Sequence, residues 1–120
     1  MSSVPETPGM AVRCSASGAK WVDGSMSDDA ICARFMARLG LEIGDPATDD
    51  DARIAGDGIS VALQFHPLGR GVAEVTRYSD GVAHILPTRE RTAMDRPLSM
   101  DDVDRLADDV AADLGSESQN

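Results

Sequence analysis

The end of the chain constrains the fold most, because residues 98–115 contain the start, the apolar stripe and the stop of one amphipathic helix. Ser99 is a typical N-cap, and Asp102 three residues later gives a shorter version of the capping box. Gly115 marks the expected end of the helix. Apolar residues recur at three- and four-residue spacing, which predicts one buried face. That face consists of Val103, Leu106, Ala107, Val110 and Leu114.

The same helix is strongly acidic, with six aspartates against one arginine. Three of the aspartates lie toward its C-terminal end, where the helix dipole disfavours an anion by roughly 0.3–1 kcal/mol. Helix stability therefore does not explain them, whereas salt adaptation or a cationic partner does. The hypothesis of a partner-binding face rests on Asp101, Asp104, Asp108, Asp109 and Asp113.

A second helix is predicted over residues 27–40. Ser27 is a suitable N-cap, Asp28 and Asp29 follow in the first turn where the dipole favours acids, and Gly40 ends the pattern. One stripe at the helical period predicts the buried face. It contains Ile31, Cys32, Phe35, Met36 and Leu39.

Between the helices, the pattern predicts three strands. Residues 59–65 alternate strictly between apolar and other side chains, which is typical of a half-buried strand. Residues 72–78 and 82–86 follow, joined by a three-residue turn at 79–81 that would place Thr76 opposite His84. Residues 87–98, with two prolines and three arginines, are predicted to form a loop.

These elements predict a two-layer α+β fold: a three-stranded antiparallel meander with the N-terminal and C-terminal helices packed on one face. At 120 residues the chain fits one domain, predicted here over 27–115. Residues 1–26 are expected to be a flexible arm, partly docked through Trp21, and residues 116–120 a disordered tail. Within the arm, residues 10–14 are compatible with a short strand. No stretch is long and apolar enough for membrane insertion.

The net charge of −10 disfavours nucleic-acid binding, which requires clusters of Lys and Arg, and favours a basic protein partner, so no nucleic-acid ligand is expected. The charge is uneven, since residues 98–120 hold seven acids and one arginine while 59–97 hold five arginines and four acids. Arg89 and Arg96 lie near enough in sequence to neutralise the last helix. A homodimer is compatible with this composition.

Cys14 and Cys32 are the only cysteines, and their spacing leaves two interpretations open. In a reducing compartment Cys32 is a small core residue and Cys14 is free. In an oxidising compartment they form a disulfide that ties the arm to the first helix, worth about 3 kcal/mol through loop closure. The first residues show no export signal, which favours the cytoplasm; a periplasmic or secreted location follows if the native start was replaced.

Catalytic and metal-binding patterns are weak. His66 and His84 with the two cysteines give a formal zinc set, but the spacing matches no finger. The aspartates at 45–51 lack the order of a calcium-binding EF-hand. We therefore expect no cofactor and no metal.

Three functional hypotheses follow. The first is a non-enzymatic interaction or accessory module that presents its Asp-rich C-terminal helix to a basic partner. The alternative is an exported, disulfide-stapled small domain with a structural role in the cell envelope. A small enzyme or metal protein that uses His66, His84 and a cysteine is the least favoured.

Overall fold

The computed structural model describes residues 11–24, 27–41 and 56–118. Within these ranges the chain forms a mixed five-stranded sheet and two α-helices. In chain order the elements are β1 (Ala11–Ser17), a 3-10 helix (Ala19–Trp21), α1 (Asp28–Arg38), β2 (Gly58–His66), β3 (Arg70–Ser79), β4 (Val82–Ile85), β5 (Arg89–Thr92) and α2 (Met100–Ser118). The predicted α+β class is confirmed.

The predicted meander forms the centre of the sheet. β2 pairs with β3, and β3 with β4, both antiparallel. β1 adds to the outer side of β2 in parallel, and β5 pairs with β3 beyond the end of β4. β4 and β5 therefore lie end to end along the same edge of β3.

The alternation along β2 determines which face of the sheet is buried. Ile59, Val61, Leu63 and Phe65 are all nearly inaccessible to solvent, whereas Gln64 on the opposite face is exposed. Burying one such apolar side chain stabilises a fold by about 1.5–3 kcal/mol, so this row anchors the core. The apolar stripes of both helices are buried in the same core cluster.

The sheet begins earlier than the sequence analysis expected. Residues 11–17 form a strand that is longer than the short one considered over 10–14 and belongs to the sheet rather than to a flexible arm, and Val12 is buried in the core. The following segment docks through Ala19 and Val22, while Trp21 remains 41% exposed and stacks against the Lys20 ammonium. Residues 1–10, 25–26 and 42–55, including the aspartates at 45–51, lie outside the described residues.

The register of the β3–β4 hairpin differs by one residue from the expected one. Ser79 pairs with Val82 and Arg77 with His84, so the loop contains only Asp80 and Gly81. Both residues have positive φ, 52° and 79°. That conformation belongs to the tight turn for which Asp-Gly is a preferred sequence, and it matches the twist of the flanking strands. The predicted pairing of Thr76 with His84 was therefore wrong.

Residues 89–92, predicted as part of a loop, form β5. Its sequence is Arg-Glu-Arg-Thr, with no apolar residue to indicate a buried face. Arg89 and Arg91 lie on the helix side of the sheet, opposite Ala73 and Gly71, and Glu90 lies on the other side. The alternation that defines this strand is one of charge, and the hydrophobic criterion missed it.

The predicted start of each helix is confirmed by its cap. The Ser27 hydroxyl accepts from the amide of Ala30 at 3.1 Å. At α2 the Ser99 amide donates to the Asp102 carboxylate at 2.9 Å, and the Asp102 amide donates back to the Ser99 hydroxyl at 3.3 Å. These reciprocal bonds satisfy donors that a helix start leaves without intrahelical partners.

The two helix ends differ from each other. α1 ends as expected, with Gly40 at a φ of 79° and the amides of Gly40 and Leu41 bonded back to Ala37 and Met36, a Schellman motif. α2 does not stop at Gly115 but runs to Ser118, so residues 116–118 are helical rather than a disordered tail. Among the described residues, neither helix combines the length and apolar character that a bilayer-spanning segment requires.

Candidate functional site

A disulfide joins Cys14 of β1 to Cys32 of α1, with their Cα atoms 5.9 Å apart. Cys14 lies on the helix side of β1, between the core residue Val12 and the half-buried Ala16. Cys32 lies on the buried stripe of α1. The bond therefore links an edge strand of the sheet to the helix that covers it, across 18 residues of chain.

The segment between the two cysteines is fixed by further contacts. Gly18 has a φ of 79°, and a Cβ atom there would collide with the backbone carbonyl of Phe65 in β2. The amide of Ala19 donates to the Asp28 carboxylate at 2.9 Å, which connects the 3-10 helix to the first turn of α1. The disulfide, Gly18 and the Ala19–Asp28 hydrogen bond therefore act together to hold β1 and α1 close to each other.

Two ion pairs connect the helices to each other. Arg34 donates in bidentate fashion to Asp104, at 3.0 and 2.8 Å, and Arg38 does the same to Asp108, at 2.9 and 3.2 Å. Both partners are four residues apart on their own helices, so the pairs occupy successive turns. Bidentate guanidinium–carboxylate geometry fixes orientation as well as distance, and these pairs therefore set the register of α1 against α2.

Two more ion pairs connect α2 to β5. Arg89 donates to the Asp113 carboxylate, with Nε–Oδ2 at 2.7 Å, and Arg91 lies 3.7 Å from Asp109. The alternation along β5 turns both arginines toward the helix layer. The aspartates at the C-terminal end of α2, which the helix dipole disfavours, thus have cationic partners from the chain itself.

The remaining aspartates of α2 are paired near its start. Arg96 donates to Asp102 at 2.8 Å, and Arg105 donates to Asp101 at 3.1 Å within the helix. All six aspartates of α2 therefore form intramolecular ion pairs. The expectation that Arg89 and Arg96 neutralise this helix is confirmed.

Solvent exposure separates the predicted partner-binding aspartates into two groups. The side chains of Asp104 and Asp113 are only 13% and 14% exposed. Those of Asp101, Asp108 and Asp109 are 72%, 53% and 43% exposed. The first group is enclosed by its arginines and by the fold, and the second is accessible from solvent.

The pairing lowers the pKa of several carboxyls. The guanidinium hydrogen bond from Arg96, helped by the Ser99 amide and hydroxyl, lowers the pKa of Asp102 to about 2. Hydrogen bonds from Arg34, Arg38 and Arg89 likewise lower the pKa values of their partners, and their charges add to the effect. Those partners are Asp104, Asp108 and Asp113. All four carboxylates are thus held in the charged form.

The residues of the weaker catalytic hypothesis are not brought together. His66 pairs with Arg70 and His84 with Arg77, so the two histidines lie at opposite ends of β3. Both cysteines are engaged in the disulfide. Within the described ranges, no group of three or more His, Cys, Asp or Glu side chains is arranged to hold a metal ion.

The sequence analysis missed the partners of the acidic helix that lie on α1, although their spacing was informative. Arg34 and Arg38 share the four-residue spacing of Asp104 and Asp108, which is the pattern of two matched helix faces. Arg89 and Arg91 share the two-residue spacing of one strand face. Matching cations and anions by spacing would have suggested both sets.

Comparisons with protein-family models, with curated proteins and with solved structures find no match for this chain.

Proposed function

We propose that this protein is a non-enzymatic accessory domain of an oxidising compartment, such as the cell envelope, in which Cys14–Cys32 is a structural staple. The observation that carries the proposal is the disulfide between β1 and α1. Disulfides persist in oxidising compartments and are rare in a reducing cytosol. A domain that must keep its fold there gains from a bond that does not depend on concentration or salt.

The staple lies where the core gives least support. β1 is an edge strand whose side chains are mostly small or polar, and Val12 is its one fully buried residue. Closing the loop between the cysteines restricts the unfolded chain and is worth about 3 kcal/mol for a loop of this length. Such a contribution is a large share of the usual stability of a domain this size.

The decisive test is peptide mapping without reduction, on protein whose free thiols were blocked in intact cells. Trypsin cuts after Arg13, Lys20 and Arg34, so the two cysteines fall on separate peptides, 14–20 and 21–34. We expect these peptides to be recovered as one linked species that separates on reduction. Recovery of both peptides with blocked thiols would contradict the proposal.

A stability measurement separates a structural staple from an incidental bond. The double variant Cys14→Ser/Cys32→Ser should unfold more easily than the oxidised protein by about 3 kcal/mol and should not respond to reductant. Ser15→Ala, at an exposed neighbouring position of β1, is the matched control and should leave stability within about 0.5 kcal/mol. Equal stability of the oxidised protein and the double variant would remove the structural role.

A second candidate function is recognition of a basic partner, and the accessible part of the acidic helix supports it. Asp101, Asp108 and Asp109 retain exposed carboxylates even though each has an arginine neighbour. Exposed ion pairs are worth only about 0–1 kcal/mol, so a denser cationic ligand can replace the internal arginines. Asp104 and Asp113 are more enclosed and belong to the fold rather than to this surface.

Binding to an oligo-arginine peptide tests this candidate. Asp101→Asn/Asp108→Asn/Asp109→Asn should weaken binding by about tenfold or more. The control Asp29→Asn/Glu74→Gln/Asp95→Asn removes the same charge from exposed positions elsewhere and should have a smaller effect. Equal losses of affinity in the two triple variants would show that binding depends only on net charge.

A further inference from the structure

A groove of about 340 Å³ opens at one end of the helix layer. Its floor is Ile59 of β2, and its walls come from the ends of both helices. Leu39 and Leu41 follow the last turn of α1, and Leu114 lies near the end of α2. These three leucines are only partly buried, although they pack against the core. The groove therefore continues the core outward as an open apolar surface.

Of the residues that the structure describes, one charged residue lines this groove. Arg77 of β3 is the register partner of Ile59 and lies on the same, helix-covered face of the sheet. Seven other arginines form ion pairs with carboxylates of the described residues. Arg77 makes no ion pair with any carboxylate in the part of the chain that the structure describes. The chain has a net charge of −10, so a partly buried arginine that pairs with no described carboxylate needs a physical explanation.

Two backbone donors at this end are already used. The amides of Gly40 and Leu41 donate back into the last turn of α1, to Ala37 and Met36. They cannot serve as donors to a ligand. Among the described residues, the lining thus offers one guanidinium, at the edge of an apolar surface, and no second charged side chain. That arrangement is complementary to a molecule with a single anionic head and an apolar chain.

We propose that the groove binds the carboxylate of a medium-chain fatty acid. The acyl chain packs against Ile59, Leu39 and Leu114, and the carboxylate accepts two hydrogen bonds from the Arg77 guanidinium. Planar bidentate recognition of a carboxylate is the interaction to which arginine is best suited. A volume of about 340 Å³ lies at the small end of ligand pockets, and we therefore assign a medium-length chain to it.

This site goes beyond the proposed accessory role and depends on neither the disulfide nor the exposed aspartates. Calorimetric titration of the full chain with decanoate, below its micelle concentration, tests it. Decanol and decyltrimethylammonium are the head-group controls, because they keep the chain and remove or invert the charge. We expect decanoate to bind, decanol to bind more weakly and the cationic analogue not to bind.

Two variants test the assigned contacts. Arg77→Gln should weaken decanoate binding by about tenfold or more, as loss of a charge-assisted hydrogen bond requires, and should leave decanol binding unchanged. Arg70→Gln is the matched control, since Arg70 lies at the opposite end of the same strand, paired with Glu90, and should change neither affinity. Ala111→Leu, which fills the groove from α2, should abolish binding of both ligands.

The proposal is overturned if decanoate fails to bind the folded wild-type chain. It is also overturned if Arg77→Gln and Arg70→Gln bind decanoate equally, because the head group is then recognised elsewhere or by net charge alone. Binding of a short peptide with an apolar C-terminal residue, in the absence of decanoate binding, would assign the groove to a protein ligand instead. A thermal unfolding curve for each variant separates loss of binding from loss of fold.

Discussion

β4 and β5 are four-residue strands that pair with the same edge of β3, yet their environments are the reverse of what their composition suggests. β4 reads Val-Ala-His-Ile and all four of its residues are exposed. β5 reads Arg-Glu-Arg-Thr, and its two arginines are half-buried beneath α2. The apolar strand faces solvent, and the charged strand is covered.

The difference shows that α2, whose apolar stripe is buried in the core, also forms ion pairs where it covers this edge of the sheet. Arg89 and Arg91 of β5 meet Asp113 and Asp109 of α2, whereas β4 contains no arginine or lysine. The half of the edge formed by β5 is therefore closed, in the sense that α2 covers it. The half formed by β4 is open to solvent, and Arg77 lies beside it in the groove.

The largest expected effect compares two adjacent residues at the end of β4. Leu86 is 3% exposed and Ile85 is 82% exposed. Leu86→Ala should lower the free energy of unfolding by about 2–5 kcal/mol because it empties a packed site. Ile85→Ala should change it by less than about 0.5 kcal/mol. Chemical denaturation of both variants measures the difference, and comparable losses would show that β4 is covered.

A smaller effect compares the two arginines that face the helix layer. Arg89→Ala leaves the enclosed Asp113 carboxylate without its partner and should cost about 1–3 kcal/mol. Arg77→Ala breaks no ion pair to a described carboxylate and should cost less than about 0.5 kcal/mol. Chemical denaturation of both variants in parallel measures the two losses in the free energy of unfolding. A larger loss at Arg77 would mean that it supports the fold, and the open half of the edge would need another explanation.

The smallest effect concerns pH at the start of α2. The folded-state pKa of Asp102 is about 2, below the value of about 4 for a free aspartate. Its stabilising contribution is therefore complete above about pH 4 and is lost as the pH falls toward about 2. Asp102→Asn should flatten this part of the plot of stability against pH. Ser99→Ala should lower the free energy of unfolding by about 1 kcal/mol because it removes the N-cap hydroxyl. An unchanged profile in Asp102→Asn would show that other carboxyls control acid sensitivity.

The sequence predicts those helices and strands whose structure is determined by local patterns. Both helix starts and the three meander strands were predictable, because caps and apolar periodicity are local. β1 was indicated only as a short strand over 10–14, since a parallel edge strand of small residues carries little alternation, and β5 was missed because its alternation is of charge. The hairpin register required the choice between a two- and a three-residue turn, and Asp80-Gly81 adopts the tighter one.

The candidate site was less predictable than the fold. The aspartates of α2 and two of their partners, Arg89 and Arg96, were identified, but the partners on α1 are distant in sequence and were not. Composition shows an excess of acid; it does not show which acids the fold encloses. The possible homodimer and the basic partner stay predictions.

Hydrogen exchange of the native protein tests the closed and open halves of this edge most directly. With the two arginines of β5 held under α2 and all four residues of β4 exposed, the amides of 89–92 should exchange more slowly than those of 82–85. The gap should narrow at high salt, which screens the ion pairs to α2. Equal protection of the two strands, or slower exchange in β4, would contradict the account.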